Sequence, residues 1–332
     1  MIYRNHTAFA AITKLGTVVT WGQNTAGGDY TYSDDSTTSA PNDSLNDVVE
    51  ISFTNNAFAA LKNDGSVVTW GNSERGGNSS TVASDLTSGV IKIYSTSLNF
   101  AALKNDGSVV MWGKLSGSQV SAPGSGSGIT EIFSNGLAYA ALKNDGSVVT
   151  FGRGSYGGNS NSVAGELSSV IKIFPKNWYI EGERGQYSLY KTGAFAALKD
   201  DGSVVTWGDP SVGGNSSTVR DDLASGVTEI FSNGEAFAAL KENGSVVTWG
   251  NQLRGGNSSR VSIALSRGVE EIAYNGYVFA ARKTDGSVYV WGQETSFPHG
   301  DRGGYTPNGV TGHDPRDSRV VYSNAVKIFS NG

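Results

Sequence analysis

Apolar and polar positions along the chain fall into short alternating runs of strand length. Val227-Thr228-Glu229-Ile230-Phe231 is one such run, Ala236 to Lys241 a second and Val246 to Trp249 a third. Short runs rich in Val, Ile, Thr and aromatic residues, bounded by Gly, Asn and Ser, predict β-strands. Glu242-Asn243-Gly244 sits between the second and third runs. Asn-Gly and Asp-Gly tolerate the positive φ of a tight turn, so this segment predicts a hairpin.

The same pattern returns along the chain. The cleanest copy is Ala57-Phe58-Ala59-Ala60-Leu61-Lys62-Asn63-Asp64-Gly65-Ser66-Val67-Val68-Thr69-Trp70-Gly71, and related copies start at Ala8, Asn99, Ala138, Ala194, Ala236 and Val278, seven in all. A first-strand phrase of the type Gly-Val-Thr-Glu-Ile-Phe-Ser-Asn-Gly begins near Val48, Val90, Ile129, Val170, Val227, Val269 and Ala325. The commonest spacing, 42 residues, is that of one four-stranded propeller blade. The expected fold is therefore all-β, a seven-bladed β-propeller forming a single domain over residues 1–332. Gly-Gly-Asn-Ser-Ser, after the Trp-Gly, would carry a weaker outer strand. Trp21, Trp70, Trp112, Trp207, Trp249 and Trp291, with Phe151 in the fourth copy, are expected in the core between blades, because repeated large apolar residues usually serve packing. The C-terminal phrase from Ala325 is expected to pair with the N-terminal blade and close the ring, which would remove exposed sheet edges.

Composition narrows the function classes. Forty-five glycines and seven prolines without a Gly-X-Y period fit strands joined by tight turns. The net charge of −5 and the lack of a Lys/Arg cluster argue against nucleic acid as a partner. No apolar run approaches the length needed to span a membrane, so no membrane insertion is expected. The absence of cysteine removes disulfides, thiolate chemistry and Cys-based zinc sites.

Ala-Leu-Lys-Asn-Asp-Gly-Ser-Val-Val-Thr-Trp-Gly, with the later Gly-Gly-Asn-Ser-Ser, resembles the regulator-of-chromosome-condensation repeat family, and the near-identity of the copies is most similar to its bacterial repeat arrays. The resemblance covers essentially the whole chain. It implies a propeller and a protein-binding disc, a role shared by nucleotide-exchange factors, ubiquitin-ligase domains, a secreted inhibitor of β-lactamases and large bacterial surface or effector proteins. The family's Gly-Gln-Leu-Gly after Trp-Gly is replaced here, so no exchange-factor residue carries over. The Asp-box of sialidase propellers is not matched, because Gly65 directly follows Asp64.

Seven copies of one side chain serve the scaffold, so function is expected where the repeat breaks. The largest break, Lys176 to Gly193, inserts about fifteen residues between first and second strands and carries Trp178, Tyr179, Arg184, Tyr187 and Tyr190. Aromatic and Arg residues on a loop of a rigid scaffold are common in binding hot spots, while a hairpin with its own small core is the structural alternative. A second break, Glu294 to Asn324, holds His299, Arg302 and His313; its spacing matches no metal motif. A third, Gln23 to Asp47, is acidic around Asp34 and Asp35 but lacks calcium-loop spacing. No Gly-x-Ser-x-Gly elbow or Gly-x-x-x-x-Gly-Lys loop occurs.

These features point to a non-enzymatic recognition module without cofactor, metal or catalytic residues. It would be a monomeric domain presenting a loop-decorated face to a protein or cell surface, with an extracellular, cell-surface or secreted-effector setting favoured over the cytoplasm. The alternatives are a carbohydrate-binding, lectin-like propeller with a glycan ligand, or a glycoside-processing enzyme with acidic residues at a central channel.

Overall fold

The computed structural model describes residues 2–28, 45–114, 119–124, 126–176, 193–292 and 326–328. Its strands form seven antiparallel sheets, one per repeat. In the second sheet Val48–Phe53 pairs with Ala57–Lys62, which pairs with Val67–Gly71. The chain clusters into two compact units, one formed mainly by Met1–Pro175 and the other mainly by Ala194–Gly332, with Lys176 in the second. The first unit holds four complete sheets and the strand Val170–Pro175. The second holds the hairpin of Ala194–Lys199 with Val204–Gly208, followed by two three-stranded sheets.

The second strand of each repeat reads as nearly continuous apolar sequence because both of its faces are buried. Phe58 and Ala60 pack towards Ala8 and Ala10 of the first sheet. Ala57, Ala59 and Leu61 point the other way, against Ile93, Phe100 and Trp112 of the third. Alanine on one face and phenylalanine on the other let successive sheets approach closely. The hairpin turn follows from Gly65, at φ +78°, with Lys62 N–H donating to Ser66 O at 2.9 Å. Only glycine takes that left-handed position without strain.

After the third strand the expected outer strand is replaced by short 3-10 helices, Ser73–Arg75 and Ser80–Leu86 in the second repeat. Among the described residues Gln119–Val120 is the one outer strand, added to the fourth sheet. The Gly-Gly segment explains the difference. Gly76, at φ +100°, lies on the ring of Phe100 in the next sheet, and a Cβ there would fall 2.6 Å from Phe100 Cδ2. The Trp112 indole N–H donates to Gly76 O at 3.0 Å. Trp70 on Gly27, Trp249 on Gly213 and Trp291 on Gly255 repeat this bond, each at 3.1 Å. Each of these Trp rings stacks on a Phe of its own sheet, with centroids 5.2–5.4 Å apart. The connector is therefore a latch from one repeat onto the next sheet's aromatic pair.

Five of the six tryptophans expected in the core, with Phe151, are at most 6 % exposed. Trp21 departs from the expectation: it stacks on Phe9 at 5.4 Å, but the two are 41 % and 37 % exposed. Among the described residues none supplies a latch to this pair. The N-terminus also differs from the expectation. Ile2–Arg4 pairs with Ala8–Ile12, so the first-strand place of the first sheet is held by the N-terminal residues themselves. Of the C-terminal phrase only 326–328 are described, and the expected pairing that would close the ring lies outside the described residues. Ile328 N–H donates to Glu271 on the first strand of the seventh sheet at 3.3 Å.

Candidate functional site

Two kinds of loop meet at one edge of each unit. The turn from first to second strand is capped by an Asn or Thr. Asn233 Oδ1 accepts from Glu235 and Ala236 N–H at 3.1 and 2.9 Å, and its Nδ2 donates to Arg254 O in the 3-10 connector at 2.5 Å. Asn135 does the same to Tyr156 O at 2.6 Å, Thr54 to Arg75 O at 3.0 Å and Asn5 to Ala26 O at 2.8 Å. The cap ties turn and connector into one frame. The side chains carried by that frame differ from repeat to repeat, whereas the Ala-Phe-Ala-Ala-Leu-Lys strands are nearly constant.

In the second unit this edge is charged and organised. Glu235 Oε2 accepts from Asn251 Nδ2 at 2.7 Å, and Arg254 Nε lies 3.8 Å from Glu235 Oε1. The Arg254 guanidinium stands over the Tyr277 ring at 4.6 Å, within cation–π range. Leu253 beside it is 77 % exposed and Tyr277 is exposed. Lys176 occupies the place held elsewhere by the capping Asn or Thr, as its N–H donates to Ala194 O at 2.9 Å in the same turn position. A lysine has no acceptor to cap that turn, and this is the turn that the 177–192 insertion opens. Lys176 is 5 % exposed. Burial pushes its ammonium pKa below the usual lysine value, while the carboxylates of Glu235 and Asp209 oppose the shift.

The corresponding edge of the first unit carries the ion pair of Lys114 Nζ with Glu74 Oε2 at 3.2 Å, well exposed, and Arg153 over Tyr156 at 4.7 Å. An exposed pair of this kind contributes little stability. The opposite edge is uniform. Asp64, Asp145, Asp201 and Asp285 each accept from the N–H of the serine two residues on at 2.9 Å, and from its hydroxyl at 2.5–2.6 Å. These bonds hold the four carboxyl groups below the ordinary aspartate pKa.

Trp178, Tyr179, Arg184, Tyr187, Tyr190, His299, Arg302 and His313, the residues singled out from sequence, lie outside the described residues. What the structure brings together instead is Lys176, Glu235, Asn251, Arg254 and Tyr277. Their signal in the sequence was modest: Lys176, Glu235 and Tyr277 depart from the residue found at the same repeat position in other copies, while Asn251 and Arg254 recur as Asn72 and Arg75 of the second repeat. Among the described residues no helix is long and apolar enough to cross a membrane, and no three His, Asp or Glu side chains gather as a metal site.

No protein-family model matches the chain, and no curated protein compared with it is similar in sequence. Among solved structures the chain is similar to Prp20p from Saccharomyces cerevisiae, at 14 % identity and a TM-score of 0.40 over 88 % of this chain and 71 % of that one. It is also similar to the CRINKLY WD40 ectodomain of the Arabidopsis thaliana receptor kinase ACR4, at 15 % identity and a TM-score of 0.39 over 90 % and 97 %. A third is the C-terminal domain of gp131 from bacteriophage phiKZ, at 10 % identity and a TM-score of 0.32 over 96 % and 95 %.

Proposed function

We propose that this chain is a non-enzymatic recognition module of propeller type whose partner is a protein, met by the edge that carries the turn-and-connector frame. The observation behind this reading is the distribution of differences among the repeats. Strands, aromatic pairs and Asp-Gly-Ser turns are nearly constant, while the residues at one edge vary and include Lys176, Glu235, Leu253, Arg254 and Tyr277. A frame pinned by buried caps holds an exposed Leu and Tyr and a half-buried Arg without costing much side-chain entropy on binding, which suits a hot spot. The 177–192 insertion springs from Lys176 on this edge, and Trp178, Tyr179, Arg184, Tyr187 and Tyr190 are proposed to extend the same surface. His299, Arg302 and His313 are proposed to contribute from the segment after the last repeat.

The test is affinity capture with four proteins: the unaltered chain, Arg254→Ala with Tyr277→Ala, a deletion of 177–192, and Asp64→Ala with Asp201→Ala on the opposite edge. A partner retained by the unaltered chain and by the Asp variants, but lost by the other two, is the expected result. Equal capture by all four would overturn the assignment of the edge.

A further inference from the structure

The second unit contains an open groove of about 350 Å³ between the connectors of the fifth and sixth repeats. We propose that it binds a neutral saccharide. None of its lining residues is charged. Gly250 and Gly256 line it without side chains, and Gly256 packs on Gly250, where a Cβ would lie 2.5 Å from Gly250 O. The walls present hydrogen-bonding groups whose orientation is already set. Asn215 Oδ1 and Asn257 Oδ1 each accept from the N–H of the serine two residues on at 2.9 Å, which fixes both carboxamides. Each Nδ2 is left without a protein partner among the described residues, as is the Gln252 carboxamide. Thr248 Oγ1 donates to Ser258 Oγ at 2.9 Å and holds the connector against the strand. Met111 stands at the Thr248 position in the third repeat and Val290 in the seventh, so this hydroxyl pair is not shared by every repeat.

That chemistry selects the ligand class. Fixed amide donors beside hydroxyl groups suit a molecule bearing several hydroxyls, each able to donate and accept. The lack of charge disfavours phosphates, carboxylates and amines, whose desolvation a neutral site cannot offset. Pro210 and Val219 add a small apolar wall for the C–H face of a sugar ring. Trp249 borders the groove but is only 2 % exposed, so hydrogen bonds rather than ring stacking carry recognition. The groove's volume admits one or two sugar rings. The groove shares the Gln252–Arg254 connector with the partner surface, but neither Arg254 nor Tyr277 lines it, and sugar binding does not depend on the protein partner proposed there.

The experiment is saturation-transfer NMR and calorimetric titration of the full chain. The probes are glucose, galactose, mannose, N-acetylglucosamine and maltose, with glucuronate and glucosamine as charged counterparts. At least one neutral sugar is expected to bind with a Kd in the millimolar range or tighter, and its charged counterpart more weakly. Asn215→Ala and Asn257→Ala should each weaken binding about tenfold, the usual loss for one hydrogen bond. Asn78→Ala, at the equivalent Asx position of the second repeat, should leave it unchanged. Circular dichroism of each variant separates a binding loss from misfolding, and Gln252→Ala, on an exposed side chain, provides a second variant if either Asn change unfolds the protein. Binding by none of the neutral sugars, preference for a charged one, or binding unaffected by the folded groove variants would each overturn the proposal.

Discussion

Replacing Gly76 by alanine tests the latch that joins successive repeats. Two costs meet at this position. Its φ of +100° is strained for a residue with a Cβ, and that Cβ would lie 2.6 Å from Phe100 Cδ2. Left-handed backbone costs an L-residue about 1–2 kcal/mol, and overpacking a filled contact costs about 1–3 kcal/mol. Alanine returns roughly 0.4–1 kcal/mol by restricting the unfolded chain. Gly76→Ala should therefore destabilise by roughly 1–4 kcal/mol. Gly136 separates the two costs, because its φ is +94° and nothing lies within 4 Å of its Cβ position. Gly136→Ala should cost only the backbone strain, roughly 0–1.5 kcal/mol. Gly124 has neither positive φ nor a neighbour within 4 Å, so Gly124→Ala should be neutral or slightly stabilising. Urea unfolding of the three variants, compared at constant m-value, measures the order. If Gly76→Ala costs no more than Gly136→Ala, the glycine contact with Phe100 does not hold the sheets together and the latch is refuted.

Three further outcomes are expected. Trp70→Ala, at 0 % exposure, should lose about 3–5 kcal/mol in the same assay, while Trp21→Ala, at 41 %, should lose less than half as much; equal losses would show that Trp21 is covered in solution. Lys176 has a folded pKa below its unfolded value of 10.5, so between the two the unfolded chain holds the extra proton and stability rises with pH. Lys176→Met should remove that rise from the alkaline stability profile, and an unchanged slope would contradict the burial. The four turn aspartates have folded pKa values below 3.8, so their contribution is present above pH 3.8 and is lost as pH falls through the folded values. Replacing Ser66, Ser147, Ser203 and Ser287 by alanine should raise the midpoint pH of acid unfolding, and an unmoved midpoint would deny these bonds a role.

Much of the fold was legible along the chain because it is local. The Asn-Asp-Gly-Ser turn is written in consecutive residues, since a left-handed glycine and an aspartate accepting from the serine two places on need no distant partner. Strand identity was equally plain in Val-Val-Thr-Trp, where β-branched and aromatic residues cluster, and seven copies made the architecture a matter of counting. Ile2–Arg4 escaped notice because Ile2-Tyr3-Arg4-Asn5-His6 shares only its Ile and Asn with the first-strand phrase, and its strand character comes from pairing with Ala8–Ile12. Gly-Gly-Asn-Ser-Ser suggested a weak strand by its position after Trp-Gly. Its real conformation is decided by a ring one repeat away: Phe100 leaves room for nothing larger than hydrogen at Gly76.

The candidate site divides the same way. Insertion and repeat breaks could be read from the sequence, because a departure from a sevenfold pattern is visible in one dimension. That Lys176 replaces a cap and is buried near Asp209 and Glu235, or that Arg254 lies over Tyr277 at 4.6 Å, could not. Those residues are 19 to 101 positions apart in the chain. Local chemistry determined the strands and turns; which side chains share an edge was set by the packing of each sheet on the next, since burial and charge proximity depend on distances that only the tertiary structure defines.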